Sequence, residues 1–282
     1  MSDDVQALAA LLRRHPRLVV LTGAGCSTES GIPDYRDLQG QWKRPAPMSF
    51  QAFTREAAAR QRYWARSLVG WPRIAASRPG PAHVALAQLE AAGRVALLVT
   101  QNVDGLHQAA GSRRVIDLHG RLDAVRCLTC GHTLARADFQ ARLQSANRGW
   151  LPAHLPPDVR SAPDGDACLE GLDFSSFVVP ACPACGSGVL KPDVVFFGES
   201  VPRERVQAAM AALREADALL VAGSSLMVFS GYRFARAAAE WGKPLAAVNL
   251  GRTRADELLA LKLRQPVGQA LGQLAALLEA GV

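Results

Sequence analysis

Apolar positions follow two rhythms along this chain. Residues 3–14 place Val5, Leu8, Leu11 and Leu12 on one face at helical spacing, and Pro16 ends that helix. Residues 17–22 (RLVVLT) follow as a short continuous apolar run, the pattern of a strand buried on both faces. The alternation then repeats. A helix over 81–92, closed by Gly93, leads into a strand over 95–100, and 115–118 is a third candidate strand. Later, 217–222 (DALLVA) and 245–249 (LAAVN) read as strands separated by a helix over 226–241, which Gly242 closes. A final helix, about 268–280, carries Leu271, Leu274, Leu277 and Leu278. Apolar strands alternating with helices predict an α/β fold whose parallel sheet is covered on both faces.

Two stretches break the rhythm. Residues 36–80 hold Trp42, Trp64 and Trp71 among prolines and read as loop plus helix. Residues 121–190 hold five of the six cysteines and a loop rich in Pro, Asp and Gly over 149–173. The cysteines are paired as Cys127-Leu-Thr-Cys130 and Cys182-Pro-Ala-Cys185, while Cys26 and Cys168 stand alone. Two CxxC turns in a large chain read as four thiolate ligands around one zinc. Such a closed shell leaves no position for water, so the metal is expected to be structural.

Composition changes this picture little. At 282 residues, 49% hydrophobic and 20% charged, the chain is globular in composition. Its formal charge of +7 comes from 32 basic residues, of which only Lys43, Lys191, Lys243 and Lys262 are lysine. The arginines are scattered, which disfavours a nucleic-acid surface. The remaining form of that idea is a zinc-ribbon nucleic-acid-binding module, with Arg121, Arg126 and Arg136 near the first knuckle as its footprint. No apolar run is long enough to span a bilayer, and the N-terminus lacks the order of a signal peptide, so a cytoplasmic protein is expected.

Thr22-Gly23-Ala24-Gly25 after the first strand is where dinucleotide folds bring backbone N–H groups to a pyrophosphate. Taken alone, a tight turn explains it nearly as well. The longer run from Gly23 to Arg36 (GAGCSTESGIPDYR) resembles the GAGxSxxSGIPDFR motif of sirtuins, the NAD-dependent protein deacylases. Thr100 to His107 (TQNVDGLH) is similar to their TQNxDxLH motif, and Leu118-His119-Gly120 to their catalytic histidine motif. Gly223-Ser224-Ser225, Asn249 and the paired cysteines resemble later family features in family order. Residues 60–66, 69–72, 162–166, 191–198 and 230–234 look like the class II branch, the group holding the fourth mammalian, mitochondrial sirtuin.

The resemblance implies a Rossmann-like NAD-binding domain built from 1–35, 81–120 and 191–282. It implies an inserted cofactor loop and helical segment at 36–80 and a zinc-binding module at 121–190. It implies that NAD is consumed: nicotinamide leaves and the acyl group moves from lysine to ADP-ribose. His119 is then the general base, and Asn102 orients the ribose and a water. Asp104 accepts from the nicotinamide amide, and Gln101 meets its ribose. Gly23, Ala24, Gly25, Ser27, Gly223, Ser224 and Ser225 belong to the phosphate and ribose side. The loop residues Ile32, Pro33, Asp34, Tyr35, Arg36 and Trp42 close on the cofactor. Asn249, Leu250, Gly251 and Val267 belong near the adenosine.

Val195, Phe196 and Gly198 are implied to meet the backbone and acyl-lysine stem of a protein substrate. Tyr63 and Arg66 have the Tyr-x-x-Arg spacing by which some sirtuins grip an acidic acyl group, although an exposed Arg on an amphipathic helix fits equally. Protein mono-ADP-ribosyl transfer and lipoamidase-type deacylation are the alternatives within the class.

Overall fold

The computed structural model describes residues 3–44, 47–150, 162–169 and 171–279. Its elements, in order, begin with α1 (Asp3–Arg14), β1 (Leu18–Thr22), α2 (Phe50–Arg55), α3 (Ala57–Ala76) and α4 (Pro81–Ala91). They continue with β2 (Val95–Thr100), α5 (Leu106–Ala109), β3 (Val115–Asp117), β4 (Gly120–Cys127), β5 (Thr133–Ala135) and α6 (Arg136–Ala146). The last are β6 (Leu190–Val194), α7 (Arg203–Glu215), β7 (Ala218–Ala222), α8 (Phe229–Glu240), β8 (Leu245–Val248), β9 (Leu261–Leu263) and α9 (Val267–Glu279).

Six parallel strands pair in the order β3-β2-β1-β7-β8-β9. Counted within the sheet this is 3-2-1-4-5-6, the doubly wound arrangement. Every residue of β1 and β7 is buried, which is why those runs carry no polar alternation. One face packs on α1, α4 and α9 through Leu8, Leu12, Leu86, Leu271 and Leu274. The other packs on α7 and α8 through Leu213, Phe234 and Ala238. The predicted strands and helices of this domain are present, with α8 beginning at Phe229 rather than 226. Ala280 of the last predicted helix lies outside the described residues.

The smaller module has its own core, where Phe53 and Trp64 from α2 and α3 meet Phe139, Leu143 and Phe177. Its antiparallel sheet, β5-β4-β6, was not anticipated. Strand β6 pairs with β4, joining Lys191 to Arg126 and Leu190 to Cys127. The start of the segment assigned to the sheet domain from residue 191 therefore sits in the small sheet. β6 ends at Val194, and Val194 and Phe196 are buried in the core of the small module. Part of the loop expected over 149–173, residues 151–161 and 170, lies outside the described residues.

Candidate active site

In a doubly wound sheet, ligands bind at the carboxyl ends of the strands, where the strand order reverses. Here that point lies between β1 and β7. The turns Gly23-Ala24-Gly25 and Gly223-Ser224-Ser225 face each other across it, with Gly25 N donating to Gly223 O at 2.8 Å. A Cβ on Gly25 would stand 2.8 Å from the Gly223 Cα, so only glycine allows this approach. A cavity of about 940 Å³ opens beside the turns. That volume is in the range of cofactor pockets.

Nearly all of the cofactor and substrate residues expected from the sequence line this cavity, including Ala24, Ser27, Asn249, Leu250, Gly251 and Val267. Pro33 and Arg66 do not. Arg66 is instead held by Asp166, 2.8 Å from its Nε, and donates to the Ala167 carbonyl at 2.6 Å. The reason is electrostatic: Asp166 is largely buried, with its pKa raised to about 7 by burial and by Asp164, and it needs a counter-charge. Tyr63 does reach the wall, from an aromatic cluster with Phe53, Trp64 and Phe196. Of the expected Tyr63 and Arg66 pair, only Tyr63 therefore lines the cavity, beside the acid Asp164.

A hydrogen-bond network stitches the three strand ends together. Asn102 Nδ2 donates to Gly23 O and to Ser27 Oγ, each at 3.0 Å. Ser27 Oγ donates to Asp104 Oδ2 at 2.7 Å, and Asp104 Oδ1 accepts from Leu106 N at 2.9 Å. Gln101 Nε2 donates to Ser224 Oγ at 2.8 Å. Arg36 lines the cavity with its guanidinium 3.9 Å from the Trp42 ring centroid and donates to Gly40 O at 2.8 Å.

His119 follows β3 and has a defined tautomer. Its Nδ1 lies 3.0 Å from the Gln101 carbonyl, which only accepts, so Nδ1 carries the proton. Nε2 is then the acceptor and takes a bond from Ser230 Oγ at 2.8 Å. Burial pushes the imidazole down to about 4, and the charges of Arg205 and Arg233 add to this against the Gln101 bond. At neutral pH His119 is therefore a neutral imidazole whose Nε2 lone pair faces Ser230 Oγ.

Sequence reasoning assigned no site role to Ser230 or His83. Ser230 stands 111 residues from His119, and a lone serine at the start of a helix carries no signal of its own. His83 sits behind the site, its Nδ1 accepting from Gly80 N at 3.1 Å and its Nε2 3.4 Å from Ser27 Oγ. The periodicity of α4 marks it only as a core position. His107 is buried on Thr22 Oγ1 at 2.9 Å, as a structural histidine should be. Cys26 is fully buried with its thiol pushed up to about 12, which makes it unreactive.

The four paired cysteines converge, with all Sγ atoms within 4.8 Å of one another. Cys127 to Cys185 and Cys130 to Cys182 are each 3.8 Å Sγ to Sγ. A tetrahedron with Zn–S bonds of about 2.3 Å has edges of about 3.8 Å, so the donor set and its spacing fit zinc. The arginines around the first knuckle do not form a basic surface. Arg121 is paired with Asp123 and Arg126 with Asp193, while Arg136 is buried 4.6 Å from the Trp71 centroid and donates to Gln140. The nucleic-acid reading loses its footprint here.

A doubly wound sheet with a glycine-lined crevice at its switch point, joined to a four-thiolate module, defines a dinucleotide-binding α/β protein with a structural metal site. The chain belongs to the Sir2 family, whose model matches residues 23–230. It is 63% identical over 268 residues to an NAD-dependent protein deacetylase of Xanthomonas campestris, covering 95% of this chain and 90% of that one. An NAD-dependent protein deacylase of Arabidopsis thaliana, SRT2, is 46% identical over 282 residues, covering 95% of this chain and 75% of its own. Among solved structures, a Sir2 complex with a p53 peptide and NAD+ superposes with a TM-score of 0.78 at 30% identity, covering 100% of this chain and 99% of that one.

Proposed function

We propose that this protein is an NAD-dependent protein-lysine deacetylase, which releases nicotinamide and moves the acyl group from lysine to ADP-ribose. The observation that carries the proposal is His119, a neutral imidazole with a forced tautomer on the wall of the switch-point cavity. When bound, NAD supplies an electrophilic ribose carbon whose leaving group is nicotinamide.

The chain's own residues then have separable tasks. The Gly23–Gly25 and Gly223–Ser225 turns face the phosphates. The N–H groups of Gly23, Gly25 and Gly223 are spent on the Ala222, Gly223 and Val248 carbonyls, which leaves the N–H groups of Ala24, Ser224 and Ser225 for the anion. Asn102 and Asp104, locked together through Ser27, hold the nicotinamide end in register with the acyl-lysine oxygen, so positioning does most of the work. His119 takes a ribose hydroxyl proton at Nε2 while Nδ1–H stays on Gln101 O, and Ser230 gives up its bond to that nitrogen. Val195 to Gly198 form a platform for the substrate chain. It is braced by Val195 N on His119 O at 2.8 Å and by Phe50 N on Phe197 O at 2.8 Å.

The class II branch is part of the same proposal. In its support, two of the segments that carry that resemblance pack on each other: an added Cβ on Gly70 of α3 would collide with the Gly165 carbonyl. A third begins with Ser230, the partner of His119. A cytoplasmic location also belongs to it, resting on thiols paired for metal, which an oxidising compartment would turn to disulfides. No helix among the described residues is long and apolar enough to cross a membrane.

The function and the acyl choice are tested together by kcat/KM on acetyl- and glutaryl-lysine peptides with NAD, for wild type and Arg66→Ala. Acetyl is expected to be preferred, with the same ratio in both proteins because Arg66 is spent on Asp166. A glutaryl preference that disappears in Arg66→Ala would restore the clamp. No deacylation of either peptide would remove the proposal.

A further inference from the structure

The wall of the cavity is unevenly charged. Around the turns and the cofactor loop its acids are committed, Asp34 to Lys43, Asp37 to the Gln39 and Gln41 N–H groups, Glu29 to the Gly268 N–H and Asp104 to Ser27, while Asp164 lines the wall beside Tyr63. Beyond the platform, toward α7 and α8, the one acid on the wall is Glu199. It is also committed, 3.1 Å from Lys191 Nζ and accepting from Phe196 N at 2.8 Å. The same part of the wall carries Arg203 from the start of α7 and Arg233 from the second turn of α8. Neither forms an ion pair among the described residues. Arg233 packs 5.2 Å from the Phe229 centroid, and its Nε is buried with no hydrogen-bond partner. Arg205, two residues after Arg203, likewise has no ion pair among the described residues. Among the described residues on the α7 and α8 side, two cations without an ion pair therefore share the wall with a single acid that is already committed.

On the deacetylase reading, that side borders the path of the substrate chain. Ser230 touches His119, and Arg233 is three residues further on, one helical turn from the reaction centre on the same helix. The platform Val195 to Gly198 ends five residues before Arg203. A peptide presenting its acyl-lysine to His119 along the platform passes between these elements. We infer that Arg203 and Arg233 form a cationic rim that selects acyl-lysines flanked by acidic residues of the substrate protein. The inference rests on the deacetylase reading and deepens it. Arg233 stands close to the reacting group by geometry, on the helix whose Ser230 bonds His119 Nε2 at 2.8 Å. Carboxylates beside the acyl-lysine would satisfy these guanidiniums, while flanking lysines would be repelled from them.

The test uses the zinc-loaded full chain with saturating NAD and three acetyl-lysine peptides that differ only in carrying Glu, Gln or Lys around the acyl-lysine. A fourth peptide has Gln flanks and glutaryl in place of acetyl. The expected order of kcat/KM is Glu above Gln above Lys, with roughly threefold to tenfold per step. The spread should shrink in about 0.5 M salt. Arg203→Gln/Arg233→Gln is expected to erase the order, and Arg203→Glu/Arg233→Glu to reverse it, with folding checked by circular dichroism. Equal rates on the three acetyl peptides, or an order unchanged in both variants, would overturn the rim. So would a loss in the variants confined to the glutaryl peptide, since the cations would then serve the acyl group. Turnover of none of the peptides, even by wild type, would strike the deacetylase reading itself and is distinguishable from all of these.

Discussion

Replacing His119 with alanine is expected to lower kcat by about a hundredfold to ten-thousandfold, the usual worth of a positioned general base. The loss should fall on kcat, with the fold intact. His119→Asn separates the roles of the two ring nitrogens. An asparagine amide can still donate to the Gln101 carbonyl where Nδ1–H does now, yet it offers no basic nitrogen in place of Nε2. Equal losses in His119→Ala and His119→Asn assign the effect to proton transfer, whereas substantial rescue by Asn would make His119 a structural donor.

The pH profile carries the same prediction. The imidazole is held down to about 4 by burial, with Arg205 and Arg233 adding to it. Its active form is the deprotonated one, so kcat/KM of the wild type should stay level as pH falls through 6.5, where an ordinary imidazole is half protonated. It should fall only as pH approaches the lowered value. An acid limb centred at 6.5 and assigned to His119 would mean that the ring is hydrated in the free enzyme.

The second large effect is expected at the metal site. Cys127 and Cys182 are buried in the core of the small module, beside Phe139, Leu143 and Phe177. Cys127 also ends β4, the strand that pairs with β6 and so leads into the substrate platform. Losing the zinc therefore removes a tether from both the module and the platform. Cys182→Ala, or chelation of wild type under mild denaturant, is expected to drop the melting temperature by more than about 5 °C and to abolish turnover. Metal analysis should give one zinc per chain before treatment. Full activity in metal-free protein would show that the four thiols are not a structural zinc site.

What could be read from the sequence was what is local. The apolar runs at 18–22, 95–100 and 218–222 specify buried parallel strands because residues covered on both faces leave no alternation. The CxxC pairs specify a tetrahedral donor set because each short turn supplies two ligands. What escaped depends on pairing across long separations. β4 shows partial alternation, but its partner β6 arrives more than sixty residues later, after an interrupting loop. Arg66 has the spacing of a carboxylate clamp, and only the folded chain shows that Asp166 claims it. Ser230 and His83 escaped for the same reason: each touches a site residue from a distant helix, and neither interrupts the pattern of its own helix.

The central claim, that this cavity couples NAD cleavage to lysine deacylation through His119, is tested most directly by product stoichiometry. Purified protein, NAD and an acetyl-lysine peptide would be followed by mass spectrometry, with absorbance at the NADH wavelength recorded in parallel. The account predicts nicotinamide, acetyl-ADP-ribose and free lysine peptide in equal amounts, no NADH, and free lysine peptide formed at least about a hundredfold more slowly by His119→Ala. Nicotinamide released without any free lysine peptide, or NADH in its place, would contradict it.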